Sequence, residues 1–109
     1  MNLSSRTGHD ALVVTVNAPR IDAAVAIQFK DRMRAETEQG PPRVILDLSQ
    51  VEFVDSSGLG AIVAVMKQLA APRRMELSGL RGNVDRVFRL TRMDSVFNIH
   101  ASLDDALAS

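Results

Sequence analysis

Two adjacent hydroxyls, Ser56 and Ser57, stand between an acid, Asp55, and a glycine, Gly58, where an apolar run gives way to a helical pattern. Side chains of these types serve nucleophilic attack, anion binding or acceptance of a transferred group. A nucleophile elbow requires Gly-x-Ser-x-Gly, and Val54 occupies the place of its first glycine. A serine hydrolase also needs a histidine base. The two available are His9, in what reads as a frayed start, and His100, at the end of a strand-like run. None of the six glycines opens a Gly-x4-Gly-Lys-Ser/Thr phosphate loop. The dinucleotide pattern also fails, because Val63 follows Gly58 and Gly60 where a third glycine is required. No nucleotide or nucleophile motif therefore accounts for the two hydroxyls, which stand at what reads as a helix start. The plain alternative is that Asp55, Ser56 and Ser57 only cap a helix.

Composition narrows the field further. The chain has no cysteine and two histidines, which removes thiolate metal sites, disulfides and cysteine nucleophiles. Neither a metal nor a cofactor is expected, and no residue is assigned a catalytic role. The 13 basic and 13 acidic side chains cancel, so no global field draws the chain to nucleic acid or anionic lipid. The absence of Trp and Tyr removes stacking platforms for single strands. No segment has the apolar length of a membrane span, and Met1–Asp10 lacks the apolar core of a signal peptide. The expectation is a cytoplasmic, non-enzymatic protein forming one domain over residues 1–109.

The elements that must position the hydroxyls follow from periodicity. Leu12–Val16 reads as a strand buried on both faces and central in a sheet. Asp22 is placed to cap a helix beginning at Ala23, with Val25, Phe29 and Met33 on one face. Gly40-Pro41-Pro42 ends it, and Arg43–Leu48 returns as a strand. After Asp55 the apolar residues Leu59, Ile62, Val63, Met66 and Leu69 mark the clearest amphipathic helix. Met75–Leu77 reads as a third strand, Asn83 as the cap of a helix carrying Val84, Val87 and Phe88 inward, and Val96–Ile99 as a last strand. Ser102 with Asp105 three residues on forms a capping-box variant before a final short helix. This alternation predicts an α/β fold, a mixed sheet of four to five strands with about four helices packed on it. Lys67–Arg92 carries seven basic residues against two acidic ones. Arg86, Arg89 and Arg92 at spacing three read as a solvated helix face, with Asp85 and Arg89 paired.

The stretch from Val44 to Gly60 resembles the signature of the STAS domain family of bacterial anti-sigma-factor antagonists. It carries Asp47-Leu48-Ser49, the apolar step Val51-x-Phe53 and Asp55-Ser56-Ser57-Gly58-Leu59-Gly60 in the family's order and spacing. Ile21-Asp22-Ala23 resembles the family's Leu-Asp helix entry, and Val87-Phe88 its late-helix pattern. Where the family usually has a glycine before its Leu-Asp step, this chain reads Asn17-Ala18-Pro19-Arg20. The resemblance implies that Ser56 accepts phosphate from a serine kinase that is also the anti-sigma factor. Unmodified protein would bind that kinase and release a sigma factor, and a serine phosphatase would restore it. Asp22, Asp55, Ser57, Gly58, Ala61 and Val65 are the expected partner-binding residues. Gly58, Ala61, Val65 and Gln68 are expected on the outer side of the second helix, opposite its apolar stripe. Two alternatives stand beside this reading: a STAS subunit of a larger scaffold or transport complex, and a weak nucleotide-binding domain using Asp22 and Asp55.

Overall fold

The computed structural model describes residues 1–109. Its first feature is a hairpin: β1 (Leu3–Gly8) runs antiparallel to β2 (Ala11–Val16), with Leu3 opposite Val16 and Gly8 opposite Ala11. The connecting His9 and Asp10 both have positive φ, 53° and 61°, as a two-residue turn matched to strand twist requires. The start of the chain is therefore a strand and not a frayed end. Only Leu3 of β1 is buried, so the strand is held by backbone pairing and leaves no apolar period.

The remaining order is β3 (Arg20–Ile21), α1 (Ala26–Glu36), β4 (Arg43–Asp47), β5 (Phe53–Val54) and α2 (Ser56–Gln68). There follow β6 (Arg74–Ser78), α3 (Gly82–Leu90), a 3₁₀ turn at Met93–Ser95, β7 (Ile99–His100) and α4 (Leu103–Ala108). The main sheet has the order β1-β2-β4-β6-β7, parallel throughout except for β1. β3 and β5 form a separate parallel pair. The expected mixed sheet with four helices is present, with this small second sheet added.

One face of the sheet carries the main core. Val14, Val16, Val44, Leu46 and Leu77 meet Phe29 and Met33 of α1, Ile62 of α2, and Val84 and Phe88 of α3, all completely buried. Burying each such side chain contributes about 1.5–3 kcal/mol. Phe88 also meets Phe97 edge to face, ring centroids 6.0 Å apart. Phe97 sits in a loop, because β7 begins only at Ile99; the strand expected over Val96–Ile99 is shorter and later. Asn83 does not cap α3. Arg81 holds the cap position, and the Asn83 amide donates to the Glu52 carbonyl, tying α3 to the loop before β5.

The opposite face is covered by α4, whose Ala106, Leu103 and Leu107 pack on Ala11, Val13 and Ile45. Ser102 caps α4 as expected, its hydroxyl accepting from the Asp105 amide at 3.1 Å. Beside this apolar patch lies a buried ionic centre. The Glu76 carboxylate accepts from Arg43 Nε and Nη2 at 2.9 and 2.8 Å and from Arg74 Nε at 3.2 Å. His100 Nε2 stands 2.7 Å from it. Arg43 also donates to the Ala106 carbonyl at 2.5 Å, fastening α4 to the sheet.

Helix α1 starts three residues later than its sequence implies. The amide of Ala24 donates to the Asp22 carboxylate at 3.1 Å, and the Val25 amide to the Asp22 carbonyl at 3.1 Å. Asp22 thus closes a turn, and Val25 takes the N-cap position without a side-chain cap. A second correction concerns α2. Its expected stripe is inward, with Ile62 fully buried and Leu59, Val63, Met66 and Leu69 packed against the core. The supposed outer face is inward as well: Gly58, Ala61 and Val65 are buried, and only Gln68 of that set is exposed. The helix meets α1, β3 and β5 as well as the main core, so it needs apolar or small residues on more than one side.

Candidate functional site

The site is assembled where the small β3/β5 sheet ends. Pairing of Arg20 with Phe53 and of Ile21 with Val54 brings the turn before α1 alongside the start of α2. Asp55, in extended conformation, is the N-cap of α2. One carboxylate oxygen accepts from the Gly58 amide at 2.8 Å and the other from the Ala23 amide at 3.1 Å. A single side chain thereby joins two segments 32 residues apart. The Gly58 amide, and after it those of Ala23 and Ser57 with the charge of Arg20, hold the Asp55 carboxyl below its ordinary range against the opposing effect of desolvation.

Gly58 is where these segments meet most closely. A Cβ on it would lie 1.8 Å from the Ile21 carbonyl oxygen and 2.7 Å from the Ile21 carbonyl carbon. Only hydrogen fits there. The closeness holds the Asp22 turn against the first turn of α2.

Ser56 and Ser57 are the first two residues of α2, and both are exposed. Of Asp55, Ser56 and Ser57, read together as a helix cap, Asp55 alone is the cap, and neither hydroxyl takes part in it. Asp22 is half-buried and occupied, accepting from Arg20 Nε at 3.1 Å as well as from Ala24. The Arg20 guanidinium also lies over the Phe53 ring, 4.6 Å from its centroid. Phe53 is 39% exposed, whereas Val51 is fully buried, so of the two apolar residues before β5's end only Val51 anchors in the core. Nothing in the sequence marks Arg20 as part of the site, or Ala23 as more than the start of a helix. Strands of two residues carry no readable period, and nothing local announces a contact across 32 residues.

The histidines stand elsewhere, His9 in the β1–β2 turn and His100 on Glu76. The cluster thus presents an exposed hydroxyl on a helix N-terminus, with no imidazole to activate it. Such a hydroxyl is suited to be acted upon, and the helix start favours an anion once attached.

The family model described as the STAS domain matches residues 2–106 of this chain. The chain belongs to the STAS domain family. BtrV of Bordetella bronchiseptica is 28% identical to this STAS domain over 101 residues, 92% of this chain and 87% of BtrV. RsfB of Mycobacterium tuberculosis, an anti-sigma-F factor antagonist, is 27% identical over 100 residues, 91% of this chain and 81% of RsfB. The crystal structure of an anti-sigma factor antagonist from Mycobacterium paratuberculosis superposes with a TM-score of 0.87 at 30% identity. The match covers 98% of this STAS domain and 91% of that chain. No helix of this STAS domain is long and apolar enough to cross a membrane.

Proposed function

We propose that this STAS domain is an anti-sigma-factor antagonist whose unmodified form binds a serine kinase that doubles as the anti-sigma factor, freeing a sigma factor. Phosphorylation at Ser56 ends that binding, and a serine phosphatase restores it. The observation that carries the reading is the exposed Ser56 hydroxyl at the first turn of α2, beside a carboxylate cap that already uses the Gly58 amide. The kinase transfers the γ-phosphoryl group of ATP: the Ser56 Oγ–P bond forms, the bond to the ADP oxygen breaks, and the hydroxyl proton passes to a base of the kinase.

The location explains why binding is lost while the fold persists. In the free protein the new dianion faces water, where its repulsion from Asp55 is weak. A docked partner replaces water near ε ~80 by an environment near ~20, and the same repulsion grows about fourfold. Because Gly58, Ala61 and Val65 are in the core, the partner surface is made of other groups. Around Ser56 the exposed ones are Ser57, Gly60, Phe53, Ala23 and Ala24, and Ile27, the second residue of α1, is 70% exposed. Small and apolar side chains of this kind suit a protein contact.

The test is incubation with a histidine-kinase-like serine kinase and ATP, followed by mass-spectrometric mapping of the adduct. Wild-type protein is expected to gain one phosphoryl group on Ser56, and Ser56→Ala none. Stoichiometric labelling of the alanine variant at Ser57 would refute the assignment. Ser56→Asp is expected to keep its thermal midpoint within a few degrees, as surface changes cost under ~0.5 kcal/mol. Its kinase affinity should fall at least tenfold, or ~1.4 kcal/mol.

A further inference from the structure

We infer that Arg20 is the positioning cation for the modified Ser56, leaving its place on Asp22 and Phe53 to meet the phosphoryl group. The inference rests on the reading of Ser56 as a phosphoacceptor. It begins from an imbalance in the unmodified protein. Only Nε of Arg20 is engaged, by Asp22 at 3.1 Å, while both terminal amino groups have no partner within the chain. The side chain is 59% exposed, so it can move without opening the core. Its place in β3, in register with Phe53, sets it beside the short β5, from which the chain passes directly into the Asp55 cap and Ser56.

A phosphoryl group on Ser56 changes which partner is best for this guanidinium. Asp22 offers one negative charge, and its carboxylate is already shared with the Ala24 amide. The phosphoryl group offers about two charges and three acceptor oxygens, which the two unengaged amino groups of Arg20 can meet in a forked arrangement. The field of Arg20 already reaches the neighbouring Asp55. Transfer of Arg20 has a second effect at the surface, because it removes the cation from the face of Phe53 and leaves one Asp22 oxygen without its ion pair. Modification would then alter the partner surface at Phe53 and Asp22 as well as at Ser56.

The experiment installs phosphoserine at position 56 by codon suppression, so that it needs no kinase, and follows the phosphorus resonance through a pH titration. Against Arg20→Gln, phosphoserine in the Arg20 protein is expected to lose its second proton at a pH lower by about half a unit or more. Arg20→Lys should recover part of that difference as a point charge. The Phe53 ring protons should shift on modification in the Arg20 protein and stay in place in Arg20→Gln. Coincident titrations and identical Phe53 shifts in the two proteins would overturn the inference. Failure of the kinase to modify Ser56, with the Arg20-dependent titration intact, would instead count against the functional reading alone.

Discussion

Gly58→Ala is expected to destabilise the protein by about 3 kcal/mol or more, seen as a fall of ~10 °C or more in thermal midpoint for a domain of this size. One added methyl is a small change in chemistry and a large one here. Its carbon would lie 1.8 Å from the Ile21 carbonyl oxygen, and the obstacle is backbone, which cannot swing aside as a flexible side chain can. Relief requires α2 to move off β3, which would pull the Asp55 carboxylate from the Ala23 amide. Gly60, two residues on in the same helix, is the control: a Cβ there meets nothing within 4 Å. Gly60→Ala should raise the midpoint, since alanine is favoured over glycine in a helix by about 0.5–1 kcal/mol. A Gly58→Ala protein as stable as wild type would refute the close packing of the two segments.

Glu76→Gln should cost a similar amount, about 3 kcal/mol, because it leaves the largely buried Arg43 facing a neutral amide. It should also change how stability depends on pH. The Arg43 hydrogen bonds, helped by His100 and opposed by burial, hold the Glu76 carboxyl down to about 2 from a reference of 4.5. The unfolded chain therefore takes up this proton at higher pH than the folded one. The stabilisation is fully present above about pH 4.5 and is lost as pH falls towards 2. A shift of that size corresponds to about 3 kcal/mol. Denaturant midpoints measured from pH 6 down to pH 2 should fall less steeply in the glutamine variant than in wild type. Parallel slopes would show that this carboxylate does not govern acid unfolding.

The parts of the fold that could be read from the sequence are those in which one signal sufficed. Helix α2 announced itself by an acid cap and an apolar stripe, and the Asp55-Ser56-Ser57-Gly58 step by residue types that crowd at helix starts. Strands β2 and β4 have continuous apolar centres, Leu12-Val13-Val14 and Val44-Ile45-Leu46, because helices cover both faces. Reading failed where structure depends on a distant partner. The Ala23 amide is taken by Asp55, so α1 begins at Ala26 despite a fair cap at Asp22. Ala61 and Val65 looked external because a single stripe was assumed to mark the buried side; with α1 as a second neighbour, small residues allow a close approach. Glu76 entered the sequence reading only as one acid in a basic segment, and its burial depends on Arg43, 33 residues away.

The edges of the main sheet also limit how this protein can be recognised. On one side β1 turns Ser4, Ser5, Arg6 and Thr7 to solvent, a polar strand with a charge in its middle. On the other, β7 offers two residues before the chain turns into α4. Neither edge is the long apolar ladder on which a foreign strand can add itself, and both have features that natural sheets use against aggregation. Strand exchange between copies and β-augmentation by a partner are disfavoured at both ends of the sheet, which leaves helix and loop surfaces as the ground on which other proteins can meet this one.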